Sequence, residues 1–289
     1  MTAQTGTAQT GTPLTVGPAR TADTPFGRAV LALRDGRAIV LRNLSQMRHA
    51  PGEIVGAVLF PIIMVVIFGY IFGSAISVPG GGDYRDFLMP GMFAMTATFS
   101  VIVTMNKVAA DNGKGVMDRF RSMPMARSAV PFGQTGADLI MSVLGFAIMS
   151  VVGLVVGWRM HDGAGSALAA FGLILLFAYA LHWVGVLLGL MFKNESTADR
   201  MTPLVFPVTM LSNSFVPTTG MPAWLRVIAD WNPVSSLTQA ARHLFGSPGA
   251  VTSHAWPMQH PVPAALMWAV VILGVCVPLA VRRYQRAGR

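Results

Sequence analysis

Charge is scarce in this chain: Asp, Glu, Lys and Arg make up only 11% of its 289 residues, less than half the ~25% usual in soluble domains. With 53% of residues hydrophobic, that shortage excludes water as the main solvent. Cysteine is scarcer still. Cys276 stands alone inside an apolar run, which excludes an intrachain disulfide or a cysteine-based metal site and leaves it as a small packing residue. Lysine occurs three times, at Lys107, Lys114 and Lys193, so arginine carries nearly all of the net charge of +9, a bias that suits a GC-rich genome. Catalytic motifs are missing too. The Gly113-Lys114 pair is followed by Gly115, not by the Ser or Thr that holds Mg²⁺ in a nucleotide-binding loop. No H-E-x-x-H, no G-x-S-x-G and no clustered His or carboxylate ligands occur. No catalytic residue, metal or cofactor is therefore assigned to this chain, and energy for any pumping must come from a partner or an ion gradient.

What the sequence has instead is six apolar stretches, 54–78, 87–106, 139–157, 166–192, 201–216 and 263–281. A hydrocarbon core about 30 Å thick needs roughly 20 apolar residues per helical span, so all but the fifth reach span length. The fifth carries Pro203 and Pro207 and runs into Pro217 and Pro222, so its outer end should be broken or bent. The expected fold class is an all-α integral membrane protein of six transmembrane helices. Seventeen of the 21 Lys and Arg fall in the N-terminal segment, the 107–129 loop, the 193–200 loop and the tail. Positive loops stay inside, so both termini are expected in the cytoplasm. A pI near 10.8 would otherwise raise nucleic-acid binding, but basic residues between apolar runs read as topology signals.

The flanks divide the chain further. Residues 1–25 are Thr, Ala, Gly and Pro without an apolar run, the composition of a disordered tail. Over 26–50 the residues Phe26, Ala29, Leu33, Val40, Leu44 and Met47 share an arc of about 60° at helical spacing. Arg34, Arg37, Arg42 and Arg48 lie beside it, which suits a helix in the cytoplasmic headgroup layer. Residues 51–289 form the six-span domain.

Two loops stand out. The first mixes Lys107, Asp111, Lys114, Asp118, Arg119, Arg121 and Arg127 with Met117, Phe120, Met123, Pro124 and Met125. Docking on a protein surface and binding of lipid headgroups fit that mixture equally. The second runs from Pro217 to Phe245. There Trp224, Leu225, Ile228 and Trp231 cover one side of a short helix and Arg226 and Asp230 form an i, i+4 pair, which reads as a re-entrant or surface hairpin capping the outer end. Within the spans, Asp138 sits where interfacial water can solvate it, and His182 is the one deep titratable group. A neutral histidine bonding a neighbouring helix and a substrate contact are its two readings. The pairs Gly69/Gly73, Gly153/Gly157 and Gly185/Gly189 signal close helix packing.

The segment Met117-Asp-Arg-Phe-Arg-Ser-Met-Pro-Met-Ala-Arg-Ser128 resembles a loop motif of ABC-2 type permeases, most closely the daunorubicin-resistance subfamily. Phe215-Val-Pro, Met221-Pro-Ala-Trp-Leu and Trp231-Asn-Pro233 resemble that subfamily's outer-loop motif, which ends near Arg242. The likeness covers the chain from about Arg28 onward. It implies a homodimeric or heterodimeric permease in the bacterial cell membrane, bound to two copies of a separate ATPase subunit that holds ATP and Mg²⁺, exporting a small amphipathic compound such as an antibiotic or lipid. It also implies that Asp118, Arg119, Phe120, Arg121, Met123, Pro124 and Met125 carry coupling to the ATPase. Leu33, Arg34, Arg37, Val40 and Leu44 would belong to the interfacial connecting helix, and Pro217, Pro222, Trp224, Trp231, Asn232, Pro233 and Arg242 to the hairpin closing the outer pathway. A proton-coupled secondary exporter and a non-transporting membrane immunity protein are the alternatives; the lack of buried carboxylates and of internal repeats weighs against the first.

Overall fold

A computed structural model describes residues 40–41, 59, 62–72, 83–117, 119, 129–192, 194–215, 218, 221–247 and 253–286. The tail over 1–25 and most of the 26–50 helix lie outside these residues. Every regular element among them is helical. A helix over 62–67 widens into a π-helical turn, Phe68–Phe72 (together α1). Then come α2 (Tyr84–Gly113), α3 (Ala129–Val156), α4 (Gly163–Gly189), α5 (Glu195–Asp199), a 3-10 turn (Thr202–Leu204), α6 (Val205–Met210), α7 (Ala223–Trp231), α8 (Pro233–Phe245), α9 (Trp256–Gln259) and α10 (Pro261–Arg286). Four of these, α2, α3, α4 and α10, are long and apolar enough to cross a membrane. They contain the second and sixth apolar stretches and most of the third and fourth.

Helices α2, α3 and α4 run antiparallel in succession, and after the fifth segment α10 runs in the same direction as α4, so one end of the bundle carries Tyr84, Val156, Gly163 and Pro261 and the other Gly113, Ala129, Gly189 and Arg286. We call these the Tyr84 end and the Arg286 end. Helix α2 is the most enclosed. Its Phe93 is fully buried, and its ring meets those of Phe146, Trp158, Phe171 and Phe245 at centroid distances of 5.5–6.0 Å. Mostly tilted or edge-on contacts of this kind add about 0.5–1.5 kcal/mol per pair beyond area burial. The outward faces of α3 and α10 expose Val143, Val151, Val155, Val270 and Val275, an apolar surface suited to lipid or to another helix.

The glycines act at particular contacts. A Cβ on Gly185 would lie 2.8 Å from both Thr104 Cβ and the Val101 carbonyl, and one on Gly189 would lie 2.7 Å from the Met105 carbonyl. This pair is therefore the groove into which α2 sinks against α4. Gly157, at φ +117°, ends α3 instead. Its N–H reaches the Leu154 carbonyl at 3.3 Å and that of Trp158 reaches Gly153 at 2.9 Å, a Schellman closure whose following Trp158 packs back on Gly153.

The fifth apolar stretch is not one helix. The 3-10 turn and α6 together end at Met210, and 211–215 is irregular. Nevertheless the segment traverses the bundle: Ala198 packs with Met105 and Ala109, while the Ser214 carbonyl lies against Gly91. Eighteen residues of α2 separate those contacts, about 27 Å at 1.5 Å per residue.

Candidate functional site

Two polar assemblies interrupt this apolar bundle, one towards each end. At the Tyr84 end, irregular backbone must be buried, and each of its polar groups needs a partner. Asn232 supplies several. Its Oδ1 accepts from Val234 N–H at 2.8 Å, capping α8 just before Pro233, the first helical residue. Its Nδ2 donates to the carbonyls of Val208 and Leu211 at 2.7 and 2.8 Å, the orphan acceptors at the end of α6. Arg242, only 2% exposed, does the rest. Its Nε donates to the Phe87 carbonyl at 3.1 Å and its Nη2 to Asn213 and Ser214 carbonyls at 3.0 Å each. The guanidinium carbon lies 3.6 Å from the centre of the Phe87 ring, a cation–π contact. Backbone dipoles and a ring face thus stabilise a permanent buried charge.

Around that clamp Ser214 shares a hydroxyl bond with Thr238 at 3.0 Å, and the Asn213 N–H donates to Ser235 Oγ at 3.0 Å. The serine-rich stretch 212–214 is a buried seam joining α6 to α8. Neighbouring α7 is anchored differently: Arg226 donates to the Thr218 and Met221 carbonyls, and Asp230 accepts from Thr218 and Ser253. Its other face exposes Trp224, Val227, Ile228 and Trp231, the side expected at a membrane–water interface. Pro222 stands exposed just before α7; Pro217 is outside the described residues.

The second assembly lies between α2, α3 and α4, towards the Arg286 end. Gln134, Asp138 and Ser142 fall at i, i+4 and i+8 on one face of α3. The Asp138 carboxylate accepts from Gln134 Nε2 at 3.1–3.2 Å, from Thr104 Oγ1 at 2.9 Å and from Lys107 Nζ at 3.4 Å. Thr104 Oγ1 is also 3.0 Å from His182 Nδ1, and Ser142 Oγ is 3.0 Å from His182 Nε2. A hydroxyl has one proton, which Thr104 gives to Asp138. The Thr104–His182 bond then requires Nδ1 to carry the imidazole proton and leaves Nε2 to accept from Ser142.

The geometry corrects the expectation for Asp138, which is 7% exposed and held by side chains where interfacial water was expected to solvate it. It also overturns the expected lack of buried carboxylates. His182, 2% exposed, has no carboxylate on its own helix, but α3 brings one within a single hydroxyl. The Gln134–Asp138–Ser142 spacing was the available sequence signal, masked because two of its members are uncharged.

Of the loop residues expected to couple to a partner, Arg119 is helical and exposed, its N–H bonded to the Gly115 carbonyl at 3.2 Å. Asp118, Phe120, Arg121, Met123, Pro124 and Met125 lie outside the described residues. Leu33, Arg34, Arg37 and Leu44 do too. Val40 is described and half-buried, its side chain lying near Gly136 of α3, on the Arg286-end half of that helix.

Four long apolar helices, a broken fifth segment and a capped hairpin define a multi-pass helical membrane protein. Residues 35–245 match the model of the ABC-2 type transporter family, and the chain belongs to that family. It is 27% identical over 288 residues to the daunorubicin resistance ABC transporter permease protein DrrB1 of Streptomyces coeruleorubidus, covering 99% of this chain and 98% of the relative. The doxorubicin resistance ABC transporter permease protein DrrB of Mycobacterium tuberculosis is 27% identical over 257 residues, 85% of this chain and 88% of its own. The probable multidrug ABC transporter permease YbhR of Escherichia coli is 25% identical over 185 residues, 61% of this chain and 49% of its own.

Proposed function

We propose that this chain is the membrane-spanning subunit of an ATP-driven exporter of amphipathic compounds, working with separately encoded ATPase subunits. The observation that carries the reading is the near end-to-end likeness to a permease named for daunorubicin resistance, 99% of one chain against 98% of the other. The sequence supports the division of labour, since it has no phosphate-cradling loop. In this reading the chain sits as one half of a permease dimer in a bacterial cell membrane with both termini and the 107–128 loop in the cytoplasm. That loop docks on the ATPase, and the hairpin from Pro217 to Phe245 covers the outer mouth.

Docking makes a sharp demand on the loop. If residues 111–127 only held headgroups, charge alone would matter, and Phe120→Ala would barely register. If they enter an ATPase cleft, Phe120 is buried at the contact, where truncating an aromatic anchor costs about 2 kcal/mol or more. Arg119 and Arg121 then face carboxylates, for which lysine is a poor substitute. The test is coexpression with a candidate ABC ATPase subunit from the same genome, reading copurification and amphipath-stimulated ATP hydrolysis. We expect no hydrolysis by the chain alone, and loss of partner recovery in Phe120→Ala and in the Arg119→Lys/Arg121→Lys pair. Full coupling in Phe120→Ala would reassign the loop to the membrane surface.

A proton-driven exporter is the second reading, and the Asp138–Thr104–His182 chain is the observation in its favour, because ionisable groups inside a membrane tend to mark function. His182→Gln keeps a hydrogen-bonding group and cannot titrate. Export that survives this change speaks for the ATP-driven reading.

A further inference from the structure

The ATP-driven reading requires a part that carries movement from the docking loop into the bundle, and we infer that the buried network of Lys107, Asp138, Thr104 and His182 is that part, a latch between α2, α3 and α4. The inference rests on the proposed function and extends it to residues outside the loop.

Position is the first argument. Lys107 lies six residues before the end of α2 at Gly113. The chain then turns through Gly115 at φ +67° to Met117, which is buried with Val108, Ala129 and Val130 against Tyr284. The base of the loop is therefore packed on α2, α3 and α10. A push on it reaches Lys107 through two turns of continuous helix. Lys107 is itself partly exposed, its side chain at 24% against 8% for Asp138, so the network starts near the loop and ends on His182 and Ser142 inside the bundle.

Directionality is the second. The proton order runs Ser142 O–H to His182 Nε2, His182 Nδ1–H to Thr104 Oγ1, and Thr104 O–H to Asp138, with one proton per bond. No member can be lost without leaving a neighbour short of a partner, and in a low-dielectric interior an unpaired polar group is costly. Such a network is made or broken as a unit. A slide of α2 against α3 by about 1 Å takes the 2.9 Å Thr104–Asp138 bond beyond the usual hydrogen-bond range, so the helices have a closed arrangement and an open one with little between.

The third argument is the contrast with the α2–α4 contact. There Gly185 and Gly189 lie against the Val101 and Met105 carbonyls, so these two helices fit as one body. Helix α3 meets that body through side chains alone, Phe146 on Phe93 and Phe132 on Trp183 beside the dissociable ion pair and the hydroxyl bonds, with no such glycine-to-backbone contact among the described residues. It is the element the latch can release.

The test uses the complex with its ATPase in lipid vesicles. Thr104→Val keeps the shape of the side chain and removes the bridging hydroxyl; Thr104→Ser restores it. We expect Thr104→Val to copurify with the ATPase in wild-type proportion and to keep basal hydrolysis. Its amphipath-stimulated hydrolysis and export should fall by roughly 2- to 30-fold, the span seen when a coupling network is cut, and Thr104→Ser should recover most of both. Wild-type stimulation in Thr104→Val overturns the latch. Should that variant aggregate, Asp138→Asn carries the same expectation and the same contradiction. Recovery of no ATPase with the wild-type chain is a different result, which defeats the proposed function and not the latch alone.

Discussion

At the residue scale, Arg242 shows how a charge comes to be buried where, among the described residues, no carboxylate meets it. Its three acceptors are carbonyls of Phe87, Asn213 and Ser214, from segments more than a hundred residues apart. Removing it orphans all three, and each buried unsatisfied group costs about 1–3 kcal/mol. We therefore expect Arg242→Ala to destabilise the protein by about 3 kcal/mol or more, with Arg242→Lys between, since one ammonium cannot span the fork. Thermal unfolding in detergent, followed by dye reaction at Cys276, reads this directly; an Arg242→Ala midpoint equal to wild type would remove the clamp from the account. Asn232→Ala should cost about 1–2 kcal/mol through its cap alone, in the same assay. The sequence marked both positions only through resemblance to an outer-loop motif. Asn followed by Pro is a local helix-start signal, so the cap was legible. The Arg242 clamp was not, because backbone carbonyls have no sequence signature.

At the element scale, hydropathy located the long helices but measured the membrane's thickness, not the helices. The stretch 87–106 became Tyr84–Gly113, because Asp111 and Asn112 can stay helical once the chain has left the apolar layer. The Gly185/Gly189 pair told of close packing without saying against what. The structure names α2, which allows a contrast along one helix. Gly172 has open space where its Cβ would be, whereas Gly185 meets the Val101 carbonyl at 2.8 Å. Gly172→Ala should be neutral or stabilising by roughly 0.5–1 kcal/mol, since it removes glycine's entropic cost in a helix. Gly185→Ala should destabilise by about 1–3 kcal/mol, as overpacking does. Equal melting of the two variants would mean that α2 and α4 do not meet there. The interior network was hidden for a related reason: Gln134, Asp138 and Ser142 share a face of α3, but the partners on other helices lie 31 to 40 residues away in sequence.

At the scale of the whole molecule, charge sets direction. Among the described residues the four arginines of the Tyr84 end, Arg85, Arg159, Arg226 and Arg242, all donate to backbone carbonyls. They are structural caps, so the bias of the remaining basic residues towards the Arg286 end is the topological signal. A single cysteine at position 119 in a Cys276→Ala background should resist an impermeant label applied outside intact cells, and one at position 224 should react. Labelling of 119 from outside would invert the molecule.

The central claim is that this chain forms the path of an ATP-driven exporter, and uptake of a fluorescent amphipathic cation by inside-out vesicles bearing the chain with its ATPase tests it most directly. The account predicts uptake that needs ATP and persists after the proton gradient is collapsed. Uptake without ATP, driven by an imposed pH gradient and abolished by His182→Gln, would contradict it.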